Sequence, residues 1–128
     1  MNYVSTRDTA VKVSASQAIT KGISSEGGLF VPENLPKVSM SEIEKIAGYD
    51  YIGRAKSILS LFLTDFTEAE IDSCVKGAYE TGFSSEKVAP VETIENGVHI
   101  LELFKGPTCA FKDMALQILP RLLTVSSG

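Results

Sequence analysis

A chain of 128 residues, 44% of them apolar, is long enough to bury one modest core and too short for a second full domain. Its net charge of -4 is spread without a basic cluster, which argues against nucleic acid or an anionic membrane and leaves a small molecule as the natural partner. Two cysteines, Cys74 and Cys109, are too few and too far apart for a disulfide framework or a metal-binding pair, so no metal site is expected and a reducing, cytoplasmic setting is. The first residues lack a basic-then-apolar leader, and no apolar run approaches the ~20 residues needed to span a bilayer.

In chain order, Tyr3 to Thr6 reads as a short strand, and Ser14 with Gln17 three residues on forms a capping box for a brief helix ending near Gly22. Gly27 and Gly28 precede Leu29-Phe30-Val31, a short strand stopped by Pro32 because proline has no amide to give to a sheet ladder. After a loop through Pro36, a helix is expected over 41–47. Asp50 caps a second helix running to Leu63, and Thr67 with Glu70 boxes a third ending at Gly82. Ile52, Ala55, Ile58, Leu59 and Phe62 make one apolar face, and Ile71, Cys74, Val75, Ala78 and Tyr79 another. Both stripes read as core. Beyond Pro90, Val91 to Ile94 and Val98 to Phe104 flank Asn96-Gly97, a hairpin signal because both turn residues tolerate positive φ. The fold class is therefore α+β, with a helix-rich unit over 1–82 and a second segment over 83–128.

That second segment carries the chemistry. Apolar residues crowd 100–104 as in a strand packed on both faces, Gly106 and Pro107 break it, and Thr108 is a good cap for the helix that follows. Lys112 falls in the first turn of this helix, which is expected to reach about Leu123 with a bend at Pro120. At about 100° per residue, Met114, Ala115, Leu116, Ile118, Leu119, Leu122 and Leu123 cover an arc of roughly 200° that also contains Lys112. Asp113, Gln117, Pro120, Arg121 and Thr124 fill the opposite arc. Lys112 is thus expected on the buried side, where desolvation and the helix dipole both disfavour an ammonium and favour a nucleophilic amine suited to Schiff-base chemistry. The plainer alternative is a lysine whose stem crosses apolar neighbours while its charge reaches water. The apolar stripe itself is expected to drive self-association through 114–123.

The run Leu101-Glu102-Leu103-Phe104-Lys105-Gly106-Pro107-Thr108-Cys109-Ala110-Phe111-Lys112-Asp113-Met114-Ala115-Leu116 resembles the lysine motif of threonine synthases, pyridoxal-phosphate enzymes of the tryptophan-synthase β-type fold. The opening Tyr3-Val4-Ser5-Thr6-Arg7 and the segment Gly27-Gly28-Leu29-Phe30-Val31-Pro32 resemble the amino-terminal domain of the same family. Asp8 stands where that family often has glycine, Glu26 where aspartate is common, and Lys105 where many members have histidine. The resemblance covers essentially the whole chain but only the first part of the family's sequence. It implies that 83–128 begin the pyridoxal-phosphate domain with its first hairpin and helix. It implies too that Lys112 holds the cofactor covalently with Phe111 beside it, and that Thr108 and Lys105 are candidates for substrate contact. The implied reaction is that of a lyase acting on O-phospho-L-homoserine and water to give L-threonine and phosphate. The phosphate-binding loop and the partner of the pyridine nitrogen are not in this sequence, so the chain alone is expected to be inactive.

Other chemistries are weaker. Gly106-Pro107-Thr108 followed by Lys112 lacks the glycine that a phosphate loop requires directly before its lysine, a place that Phe111 takes. A thiol enzyme would use Cys109 with His99 as base, but a lone cysteine and a lone histidine on neighbouring elements are ordinary filler and strand-end residues. A non-catalytic interaction module remains as a third class. Ser5, Thr6 and Arg7 are either a polar strand end or part of an active-site mouth.

Overall fold

The computed structural model describes all residues, 1–128. Strand β1 (Tyr3–Ser5) runs antiparallel between β2 (Lys12–Val13) and β3 (Phe30–Pro32), with Tyr3 opposite both Val13 and Pro32. Pro32 closes an edge strand, where its missing amide leaves no ladder bond unmade. Strand β2 is too short to show any alternation in the sequence, and its pairing with β1 had no signal there.

The four helices that follow start where their caps dictate. Helix α1 (Ala15–Lys21) has the Ser14/Gln17 capping box in both directions and ends at Gly22. Helix α2 (Met40–Ala47) begins one residue earlier than expected, because Ser39 and Glu42 form a capping box of their own. In α3 (Tyr51–Phe62) the Asp50 carboxylate accepts from the Gly53 amide at 2.7 Å. Helix α4 (Glu68–Tyr79) is boxed by Thr67 and Glu70 and stops three residues short of Gly82. Because that cap hydrogen-bonds the charged form, first from the Thr67 amide and then from its hydroxyl, the Glu70 carboxyl is held below its ordinary value.

Helix α4 is the centre of the core. Its Ile71, Cys74, Val75, Ala78 and Tyr79 are all buried, as their spacing predicted. The facing stripe on α3 is only half covered, and Ile58 remains exposed. The same cluster takes in Ala15, Leu63, Phe66 and Val88, together with Ile118 and Leu122 from near the end of the chain. One core therefore joins residues on both sides of position 82.

Beyond Pro90, β4 (Val91–Thr93) and β5 (His99–Leu101) pair antiparallel across a turn in which Asn96 and Gly97 have φ of 63° and 73°. The hairpin is as expected, but its strands are not packed on both faces: every residue from Val91 to Leu101 is exposed, and β5 stops at Leu101 instead of reaching Phe104. Beyond β5 the Glu102 amide still donates to the Pro90 carbonyl in register with the ladder, a bond that Pro90 has no amide to return.

The single helix expected over 108–123 is replaced by two short ones, α5 (Asp113–Leu116) and α6 (Leu119–Ser126). The reason is Pro120. A continuous helix would need an amide at 120 to bond the Leu116 carbonyl, whereas at the start of α6 that amide has no helical partner to lose. The break also redistributes the apolar stripe. Ile118 and Leu122 are buried by this chain's own α1 and α4, while Leu116, Leu119 and Leu123 stay exposed. The Tyr79 hydroxyl donates to the Met114 carbonyl at 2.6 Å and ties α5 to α4. Burial, with Tyr51 adding to it, pushes the Tyr79 phenol up and keeps it a donor.

This packing separates two neighbouring leucines. Leu122, 7% exposed, sits in the core, and Leu123, 41% exposed, does not. Leu122→Ala should cost about 2–5 kcal/mol in urea unfolding of the chain, and Leu123→Ala less than ~1 kcal/mol. Equal costs would mean that α6 is not docked on α4.

Candidate active site

The loop between β5 and α5 is built around one carboxylate. Asp113 is 1% exposed, and its Oδ2 accepts from both the Thr108 amide, at 2.8 Å, and the Thr108 hydroxyl, at 2.9 Å. Gly106 lies against the same group: a Cβ there would stand 2.5 Å from both Asp113 Cβ and Oδ2, so only glycine leaves room. Two tight turns close the loop, with the Cys109 amide donating to the Gly106 carbonyl at 3.1 Å and the Asp113 amide to the Ala110 carbonyl at 3.0 Å. Cys109 adopts φ of 57°, a left-handed conformation uncommon for a side chain with a Cβ.

This arrangement reverses the expected arcs. Asp113, placed by periodicity on the polar side, is buried, and Lys112, placed on the apolar side, is exposed. Helical periodicity assumes a regular helix from Thr108, but Lys112 precedes the first turn of α5, as the residue before Asp113. Thr108 does not cap α5 either, because its hydroxyl is given to Asp113. The desolvation expected at Lys112 is therefore not found in this chain. What is found is an accessible amine: Lys112 forms no ion pair and its Nζ makes no hydrogen bond.

The other candidate residues are placed as follows. Phe111, beside Lys112, is 64% exposed. Lys105 is ion-paired with Glu102 at 3.0 Å and lies over the Phe104 ring at 4.9 Å, lining a shallow polar depression of about 400 Å³ with Glu86, Glu92 and Glu102. Cys109 is exposed, and no hydrogen bond joins it to His99, whose Nδ1 instead meets the Thr93 hydroxyl at 2.9 Å across the hairpin. The pair that a thiol enzyme would need is not assembled.

At the other end of the chain, Ser5, Thr6 and Arg7 are occupied with the loop before β3. Ser5, fully buried, donates to Glu26 and accepts from the Arg7 amide at 3.2 Å. The Thr6 hydroxyl accepts from the Leu29 amide at 3.0 Å, and Arg7 Nη1 donates to the Glu26 carbonyl at 2.9 Å. Glu26 also accepts from the Ser24 hydroxyl at 2.6 Å. Every functional group in this segment thus has a local structural partner.

Comparison with known proteins agrees with the pattern of these segments. Residues 2–79 match the family described as "Threonine synthase N terminus". The chain belongs to the threonine synthase family. It is 39% identical over 131 residues to threonine synthase-like 1 of Macaca fascicularis, which it matches over 94% of its own length and 18% of that protein's. Against the threonine synthase of Pseudomonas aeruginosa it is 38% identical over 124 residues, spanning 96% of this chain and 26% of the relative. The crystal structure of a PLP-bound threonine synthase from Brucella melitensis superposes with a TM-score of 0.92 at 34% identity, over 98% of this chain and 27% of the other. The chain thus spans about a quarter or less of these three relatives' length, and its mixed helix-and-strand architecture is that of the family's amino-terminal region. No helix is long and apolar enough to cross a membrane.

Sequence reasoning missed Asp113. A buried aspartate between a lysine and a methionine has no periodic signature, and the only hint was a glycine and a threonine a few residues upstream, which are equally the marks of an ordinary helix start. It also missed the Glu26 cluster. The Ser24 hydroxyl and then the Ser5 hydroxyl hold the Glu26 carboxyl down at about 2 from an ordinary 4.5. A depressed carboxyl stabilises the folded state above its unfolded value, and the contribution is lost as pH falls from about 4.5 toward 2. Glu26→Gln should therefore lower the urea midpoint at pH 6, and the gap between the two proteins should narrow as the pH is taken to 3. A gap of constant size would exclude the charged form as the stabilising species.

Proposed function

We propose that this chain is the amino-terminal portion of a threonine synthase that converts O-phospho-L-homoserine and water to L-threonine and phosphate, with Lys112 as the residue that carries pyridoxal phosphate. The observation that carries this reading is the free, exposed amine of Lys112 within a sixteen-residue segment resembling the family's lysine motif, in a chain that belongs to the family. Residues 1–82 are then the family's amino-terminal domain and 83–128 the start of the pyridoxal-phosphate domain.

The residues fit the carbonyl end of the cofactor. An accessible, unpaired amine is the donor that a carbonyl requires, and Phe111 supplies an exposed ring next to it. When bound, the cofactor supplies an electron-withdrawing ring that stabilises negative charge beside the substrate amine. Lys112 Nζ takes and returns protons as phosphate leaves the substrate's γ-carbon and water adds at its β-carbon. Lys105, now paired with Glu102, is the cation nearest in sequence for a phosphorylated substrate, and the Thr108 hydroxyl is a second candidate contact. The work is that of a cytoplasmic lyase of amino-acid biosynthesis with a small-molecule substrate and no nucleic-acid or membrane partner. The 128 residues alone release no phosphate from O-phosphohomoserine, since they carry neither a phosphate-binding loop nor a ring-nitrogen partner.

Borohydride reduction of the full-length, cofactor-loaded protein, followed by peptide mapping, tests the assignment. The phosphopyridoxyl group is expected on the peptide containing Lys112. Label on another lysine, or phosphate release by the 128-residue chain, would overturn the assignment or the inactivity respectively.

A further inference from the structure

The clamp between Asp113 and Thr108 holds a carboxylate in an almost fully buried position beside an exposed lysine that it does not touch by any hydrogen bond. Burial of a carboxylate is costly unless it is hydrogen-bonded, and a surface aspartate at the start of a helix would serve the fold without entering the interior. Three features converge on keeping it inside. Both donors of Thr108 point at one oxygen. Gly106 leaves the space that any side chain would fill. The intervening chain accepts a left-handed Cys109 so that the loop can close in this register.

The consequence falls on Lys112. Its carbonyl accepts from the amides of both Ala115, at 3.0 Å, and Leu116, at 2.8 Å, so its backbone is fixed to α5 on the one side and, through Asp113, to Thr108 on the other. Asp113 is turned in, and the side chain that precedes it is exposed. We propose that Asp113 is a positioning residue, whose buried carboxylate, gripping Thr108 across the Gly106 turn, sets the direction in which the Lys112 amine is presented to a carbonyl cofactor. The proposal rests on the reading of Lys112 as the cofactor lysine and adds to it the residue that aims it.

The experiment uses the full-length protein loaded with pyridoxal phosphate, unsubstituted and as Asp113→Asn, Thr108→Val and Thr108→Ser. Asp113→Asn keeps an acceptor oxygen but loses the charge. Thr108→Val keeps the amide bond but loses the hydroxyl, and Thr108→Ser restores it. Three readouts are taken: amide exchange at Thr108, the pH midpoint of the bound cofactor's visible absorption, and the rate at which cofactor is lost to a competing amine. In Asp113→Asn the Thr108 amide should exchange about tenfold faster or more, the pH midpoint should shift, and the cofactor should leave faster. Thr108→Val should show the last two effects in smaller measure, and Thr108→Ser should return both to the unsubstituted values. If exchange rises in Asp113→Asn while the pH midpoint and cofactor retention stay unchanged, the clamp is only structural and the proposal is overturned. The same holds if Thr108→Val, folded to the same thermal midpoint, behaves as the unsubstituted protein. Absence of a Lys112-linked cofactor in the unsubstituted protein would instead overturn the assignment of Lys112, and the proposal with it.

Discussion

The buried carboxylate of Asp113 is the constraint from which the second half of this chain follows. Hydrogen bonds to a charged acceptor contribute about 1.5–3 kcal/mol each, and breaking a buried one leaves a charge without partners, so the two bonds from Thr108 cannot be given up cheaply. Holding them requires an empty side-chain position at Gly106, a left-handed residue at Cys109 and a helix that starts no earlier than Asp113. Lys112, next to this buried group, is exposed. The fold thereby delivers a free amine at the head of a short helix whose far end is anchored in the core.

That anchoring ties the two halves together. Tyr79 reaches from α4 to the Met114 carbonyl, and Ile118 and Leu122 enter the cluster formed by α4, Ala15 and Phe66. Two residues of the 114–123 stripe thus close the core of the helical layer. The surface left over is the hairpin, with Val91, Ile94, Val98, Ile100 and Leu101 each about half exposed, together with Leu116, Leu119 and Leu123. The threonine synthases compared above are several times longer than this chain.

Local rules made much of this legible. The capping boxes at Ser14 and Thr67, the Asp50 cap, the core stripe on α4 and the Asn96-Gly97 turn were all written in neighbouring residues, and each is as expected. Three things were not. Strand β2 depends on a partner rather than on its own pattern. The break between α5 and α6 follows from Pro120, but the sequence suggested only a bend, because Pro120 lies on the polar arc, where water can satisfy the freed Leu116 carbonyl. The exchange of Lys112 and Asp113 between inside and outside depends on a side chain bonding five residues back, which no helical wheel represents. The chemistry proposed for Lys112 rests on the resemblance of its motif, while the buried carboxylate beside it was visible only in three dimensions.

Trace acetylation of the 128-residue chain with residue-level mass analysis reads whether Asp113 takes the interior and leaves the Lys112 amine free in solvent. Lys112 should react like Lys21, an exposed lysine without an ion-pair partner, and faster than Lys56, whose ammonium is paired with Asp72. Protection of Lys112 by about tenfold relative to Lys21 would instead place the amine in the interior, against the exposed position described above.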